Sequence, residues 1–310
     1  MKPKVVLLGP QRYERSVAKV AGELFPKGRV ATVTAGWQEW EGDDDALDRD
    51  LGGRSKNLSL HSRGRACFEA DPDLRAAHRA LQSNIRLLMR AYRRRLESAH
   101  QAWSAVDRLE GRDEILGPER EAAFQAIREL DRLHVDRVAE LRAEYQERLA
   151  PLHRPAVARH RREIAELMDG CSALVIEGGH VAVLLNRLRL FEVVELLGER
   201  PLVACSGGAM VLARRVVLFH DAPPQGFSRP EVAESGLGLF DGLVALPDAS
   251  RRLILEDQDR VRRFARRFAP DSCVTLDGGA RVDWDGRGWT PRGARRLTVA
   301  GSADAWERAS

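Results

Sequence analysis

Apolar positions along the chain follow two patterns. In the first, a few mostly apolar residues run on without a break and stop at a glycine or proline turn. These runs are residues 5–8 before Gly9-Pro10, 30–35 before Gly36, 173–177 before Gly178-Gly179, 202–205 before Ser206-Gly207-Gly208, and 243–246 before Pro247. Runs of this length bounded by turn residues predict short buried strands. In the second pattern apolar residues recur every three or four positions. Val17, Val20, Ala21 and Leu24 form such a stripe between the first two runs and stop at Phe25-Pro26. Strand, helix, strand within so few residues predicts the start of a parallel α/β sheet. Residues 57–61 predict a third strand, 215–219 a further one, 258–268 a basic helix, and 273–300 β-hairpins turned at glycine pairs.

From 73 to 169 the helical spacing takes over. Leu74, Ala77, Leu81, Ile85, Leu88, Tyr92, Leu96, Ala99, Trp103 and Val106 draw one stripe. Gly111 and the pair Gly117-Pro118 interrupt it, and Pro118 suits the first turn of a new helix. Phe124, Ile127, Leu130, Val138, Leu141, Tyr145 and Leu149 draw a second stripe, which Pro151 and Pro155 separate from Ile164 and Leu167. Two long helices around a short break predict an antiparallel, coiled-coil-like hairpin with arms of roughly 45–55 Å at 1.5 Å per residue. Two roles are open for it. It forms a homodimer or binds a helical partner, or its helices zip against each other and brace the sheet.

The 310 residues, 44% of them apolar, suffice to fill a core around such a sheet. Net charge is only +4, with 50 basic against 46 acidic residues, which disfavours a dedicated nucleic-acid binder. Arg86, Arg90, Arg93, Arg94 and Arg95 read as a solvated helix face. Cys67, Cys171, Cys205 and Cys273 are scattered without a C-x-x-C pair, and His153 and His160 lack an H-E-x-x-H setting, so neither a metal nor a cofactor is indicated. No run approaches the roughly 20 apolar residues of a membrane span, and the N-terminal run is too short for a signal sequence. A soluble cytoplasmic protein is expected.

Candidate chemistry gathers between Cys171 and Asp221. Ala204-Cys205-Ser206-Gly207-Gly208 is a G-x-S-x-G elbow with alanine in the first position, a sharp strand-to-helix corner that would lift the Ser206 hydroxyl above the sheet. Gly178-Gly179-His180 follows the preceding strand. With Gly236-Leu237-Gly238-Leu239 and Pro247-Asp248-Ala249, these residues resemble the peptidase S51 branch (dipeptidase E and cyanophycinase-like proteins) of the class I glutamine amidotransferase-like fold. That branch carries G-G-N, G-x-S-A-G-A, an acid fifteen positions after the serine, G-L-G-L and P-H-F at these places.

The resemblance covers residues 1–72 and 170–310 and implies a flavodoxin-like three-layer α/β sandwich, with 73–169 as an inserted hairpin. It implies Ser206 as nucleophile, Asp221 as the acid of a triad, the Gly207 and Gly179 N–H groups as an oxyanion hole, and Gly178 and Asp248 beside the substrate. Asp248 stands where the branch has its histidine, and Gly278 where it has a glutamate. A carboxylate of ordinary pKa near 4 takes a serine proton poorly, so the base must come from elsewhere. His180, in the turn facing the elbow, is the candidate, ahead of His220. Cys205 precedes the corner and is expected to point into the core. The loop 37–45, with Trp37, Trp40, Glu41, Asp43, Asp44 and Asp45, either meets a cationic ligand or is solvated. Two functions follow: hydrolysis of a small peptide or related amide, or a catalytically silent protein that keeps the pocket for a ligand and uses the hairpin to engage a partner.

Overall fold

The computed structural model describes residues 4–12, 14–221 and 229–307. In chain order its strands are β1 (Val5–Leu8), β2 (Arg29–Val33), β3 (Ser55–Asn57), β4 (Cys171–Ile176), β5 (Leu202–Cys205), β6 (Arg215–Leu218), β7 (Glu231–Ser235), β8 (Leu243–Pro247), β9 (Ser272–Leu276), β10 (Arg281–Trp284), β11 (Trp289–Arg292), β12 (Arg295–Leu297) and β13 (Ala303–Ala305). The helices are α1 (Val17–Leu24), α2 (Asp45–Asp50), α3 (Leu60–Ala70), α4 (Pro72–Asp107), α5 (Asp113–Leu149), α6 (Pro155–Asp169), α7 (Val181–Leu190), α8 (Gly207–Leu212), α9 (Ala249–Arg252) and α10 (Gln258–Phe268).

The central sheet has the order β11-β10-β1-β5-β4-β2-β3, parallel from β3 through β1 and antiparallel at β10 and β11. Alternation along the parallel strands divides the core. Val6, Leu8, Val30, Ala173, Val175, Val203 and Cys205 pack with α1 and α2 on one face. Val5, Leu7, Ala31, Val33, Leu174, Ile176, Leu202 and Ala204 pack on the other, with residues of α3, α6, α7 and α8. Both faces are covered, which is why these strands read as unbroken apolar runs. The result is a three-layer α/β sandwich with a mostly parallel sheet and a long helical hairpin. Read across the sheet, β3-β2-β4-β5-β1 occupies the places of the flavodoxin order 2-1-3-4-5, with the first strand in fifth place.

Right-handed crossovers explain the layering. From β1 the chain crosses past β5 and β4 to β2 and then steps to β3, using α1 and α2 on one face. The return from β3 to β4 and β5 runs in the opposite direction and therefore takes the opposite face. Neighbouring strands whose helices leave to opposite sides open crevices at their carboxyl ends. The pairs β1/β5 and β4/β2 are such neighbours.

Three expectations change. The third strand is Ser55–Asn57 and shares only Asn57 with the expected 57–61; Ser59 then turns into the left-handed region and α3 begins at Leu60. The Glu41 carboxylate forces that turn by accepting from the His61 and Ser62 amides at 2.7 and 2.9 Å. The second arm starts at Asp113, ahead of Pro118, with Arg120 donating to Asp113 and to the Leu109 carbonyl across the bend. Residues 272–276, expected within a hairpin, instead form β9, which runs parallel to β8 in a separate sheet, β13-β12-β9-β8, and among the described residues β6 pairs with β7 alone, outside the central sheet.

The arms α4 and α5, of 36 and 37 residues, zip together. Their outer halves form their own cluster from Tyr92, Leu96, Trp103, Phe124, Ile127 and Leu130, while Leu74, Leu81, Ile85, Val138 and Tyr145 join the main core. A buried polar joint docks them. Arg267 of α10 donates to both Asp131 oxygens at 2.7 and 2.6 Å, to the Tyr92 hydroxyl at 3.0 Å and to the Pro230 carbonyl at 2.8 Å. Tyr92 donates to Asp131 and accepts from the Val232 amide of β7. Further along, Glu234 of β7 holds Arg142 of α5 and Arg189 of α7. Among the described residues no helix is long and apolar enough to cross a membrane.

Asp131→Ala strands the Arg267 charge and should cost about 3–5 kcal/mol in urea unfolding, whereas Asp131→Leu with Arg267→Met should lie much nearer the parent. A second expectation concerns acid. Burial, helped by Arg187, lowers the His78 pKa to about 4, and burial, helped by Arg267, lowers that of His100 to about 3. Both are neutral when folded and bind protons near pH 6.5 when unfolded, so stability is complete above that pH and falls as pH drops toward 4. The loss is about 2 kcal/mol per imidazole at pH 5. Thermal melts across this range should show it, and His100→Gln should flatten the slope.

Candidate active site

The β5 strand ends at Cys205 and α8 begins at Gly207, so the whole change of direction falls on Ser206, whose φ of 50° and ψ of −115° few side-chain-bearing residues adopt. Its amide donates to the Leu8 carbonyl at 2.9 Å and its carbonyl accepts from the Ala209 amide at 3.0 Å, which pins the corner on both sides. The turn after β4 presses against it. A Cβ on Gly178 would lie 2.8 Å from the Gly207 nitrogen and 3.0 Å from the Ser206 Cβ. Gly179, at φ +99°, backs onto Gly36 more closely still, a Cβ there lying 2.4 Å from the Gly36 carbonyl oxygen. Ser206, Gly178, Gly179 and Gly207 therefore meet at one point on the carboxyl edge of the sheet, and only glycine fits where the turns touch.

A cavity of about 270 Å³ opens there, on the α1/α2 side. Ser206, Gly178 and Gly179 line it with Glu177, Gln11, Arg12 and Arg15 from beyond β1, Trp37 from beyond β2, and Asp50 of α2. It draws on the ends of β1, β2, β4 and β5, the strands at which the crossovers change face. Arg15 and Asp50 pair at 3.3 Å near its rim. Glu177 is 8% exposed, and its Oε1 has no hydrogen-bond partner among the described residues. Burial pushes its pKa up, opposed by a hydrogen bond to the Cys205 thiol and by the Gly178 amide. Burial, with the Glu177 charge beside it, likewise keeps the Cys205 thiol well above the usual thiol range.

Other predicted residues lie elsewhere. His180 is exposed at the N-cap of α7, where its Nδ1 accepts from the Val183 amide at 3.3 Å, and it does not line the cavity. Asp221, beyond β6, is held by Arg260 and accepts from the Ile254 amide at 3.2 Å, in a separate small cavity. Asp248 follows β8 in the left-handed region at φ 58°, its amide bonded to the Leu276 carbonyl. It closes a strand of the separate sheet, whose β9 end meets the Gly9 turn at the Asp277 carbonyl. Cys205 is wholly buried in the α1/α2 core. In the 37–45 loop Glu41 caps α3, Asp44 accepts from Asn57 at 2.9 Å, and Trp37 walls the cavity. Among the described residues no three His, Cys, Asp or Glu side chains are grouped to hold a metal.

Glu177 and the two arginines escaped the sequence reading. The available signal was a lone carboxylate closing an otherwise apolar strand covered on both faces, where an acid is costly unless used.

No protein-family model and no curated protein sequence matches the chain. Among solved structures it is similar to a peptidase from an acI-B1 Actinobacterium, with a TM-score of 0.49 and 13% identity, over 100% of this chain and 96% of that one. It is also similar to a putative peptidase E protein from Listeria monocytogenes EGD-e, with a TM-score of 0.44 and 10% identity over 96% and 99% of the two chains.

Gly178→Ala tests the close approach of the turns. The added methyl must displace backbone and should cost about 1–3 kcal/mol, read in chemical denaturation.

Proposed function

We propose that this protein is a serine hydrolase of the S51-like type, acting on a small peptide or related amide, with Ser206 as nucleophile. The observation that carries the reading is the backbone of Ser206, strained to φ 50° and ψ −115° at the mouth of a cavity. Strain of this kind persists only where the surroundings enforce it, and it gathers at functional sites. A cavity of about 270 Å³ suits an acyl group the size of one amino-acid residue. In this reading the Gly207 N–H, with that of Gly179 across the contact between the turns, receives the oxyanion.

A second reading, ligand binding without turnover, is favoured by the engagement of Asp221 with Arg260 and by Asp248 in place of a histidine. The cavity would then serve recognition alone, with Arg12 and Arg15 meeting an anionic group.

A fluorophosphonate probe separates the two. The parent protein should be labelled at Ser206, as mapped by peptide mass spectrometry, and Ser206→Ala should lose at least about 1,000-fold in labelling rate. A parent left unlabelled at every pH would remove the hydrolase reading in favour of binding.

A further inference from the structure

We infer that Glu177 is the proton acceptor for Ser206, filling the catalytic position that the aspartate at 248 leaves without a base; this rests on the hydrolase reading of the Ser206 cavity. Register is the first support. Ile176 of β4 pairs with Ala204 of β5, so Glu177 stands beside Cys205, one residue before the nucleophile. Alternation turns residue 177 to the same face as Ala173 and Val175, the α1/α2 face on which the cavity opens. Glu177 and Ser206 both line that cavity, and the Gly178 contact holds their two turns together.

The second support is the state of the carboxyl. It is more than nine-tenths buried, and its Oε1 meets no donor among the described residues. Asp131, by contrast, is held through both oxygens by the Arg267 guanidinium, whereas Glu177 leaves one oxygen bare among the described residues. The groups facing Glu177 are the Cys205 thiol from β5, the Gly178 amide, Arg15 from beyond β1 and Asp50 from α2. The other carboxylate lining the cavity, Asp50, is paired with Arg15, and no lining residue among those described carries an imidazole. Burial raises the Glu177 pKa above the ordinary carboxylate value, which makes its ionised form a stronger base than a solvated aspartate.

The proton inventory closes with this single group. As the Ser206 oxygen forms its bond to the acyl carbon, its O–H bond breaks, the proton passes to the Glu177 carboxylate, and the carbonyl π pair moves onto oxygen. On collapse the C–N bond breaks and Glu177 returns the proton to the leaving nitrogen. Water then gives its proton to Glu177 as its oxygen attacks the acyl carbon. Release of the Ser206 oxygen takes that proton back, leaving acid, amine and unchanged enzyme.

The test is the rate of fluorophosphonate labelling of the full-length protein across pH 5–9, for the parent and Glu177→Gln, with thermal melts of both. The parent rate should rise through one ionisation displaced above the ordinary carboxylate range, and Glu177→Gln should lose that limb and at least about 100-fold in rate. A Glu177→Gln protein that labels with the parent's rate and profile overturns the inference and leaves the hydrolase reading standing. A parent that never labels removes that reading and the inference with it. Should Glu177→Gln lose its cooperative melt, infrared titration of the parent decides. A protonated-carboxyl band that fades with rising pH in step with the labelling rate is expected, and a labelling limb with no matching carboxyl titration overturns it.

Discussion

The contact between the turn after β4 and the corner after β5 is the constraint on which the site depends. Two adjacent parallel strands end at the same height, and their chains then part toward α7 and α8 with backbone touching backbone. A Cβ on Gly178 would come within 3.0 Å of both the Gly207 nitrogen and the Ser206 side chain, so the glycines are steric necessities. Ser206 has no such freedom and is held in a conformation that costs of order 1–3 kcal/mol in isolation. The Leu8 and Ala209 hydrogen bonds and the wholly buried strand beneath it supply the restraint. The cavity is the space left over where crossovers on opposite faces diverge.

The helical hairpin depends on a different interaction. Its apolar stripe packs partly between the arms and partly with the main core. Apolar contact alone leaves the sliding of one long helix past another weakly determined. The Arg267–Asp131–Tyr92 joint fixes it, because a buried guanidinium with so many acceptors tolerates only one alignment. Glu234, shared by Arg142 and Arg189, repeats the device further along and ties α5, α7 and β7 together. The arm is thereby referred to α7, whose first residue follows the turn that shapes the cavity.

The electrostatics of the site follow from depth. Cationic side chains from beyond β1 stand at the rim, where water and Asp50 moderate them. Glu177 sits beneath, against a thiol and apolar strands. A carboxyl placed there gives up solvation without full compensation, and its proton affinity rises accordingly.

Much of this was legible in the residues themselves. Apolar runs ending at glycine or proline turns located β1, β2, β4, β5 and β8, because a strand covered on both faces has no polar side to show, while β9 was misread as part of a hairpin although it runs parallel to β8. Three–four spacing located the hairpin, and Ala204-Cys205-Ser206-Gly207-Gly208 located the corner, because a sharp turn admits few residue types. The short edge strand β3 and the start of α3 were misread, since the Glu41 cap that sets them lies some twenty residues away. What the sequence by itself determined was therefore local: periodicity, turn chemistry and the identity of the candidate nucleophile. Which titratable groups stand near that nucleophile was decided only by tertiary structure. Strand order and register bring Glu177 to the cavity and leave Asp221 with Arg260, and spacing along the chain carries no record of distance across a sheet.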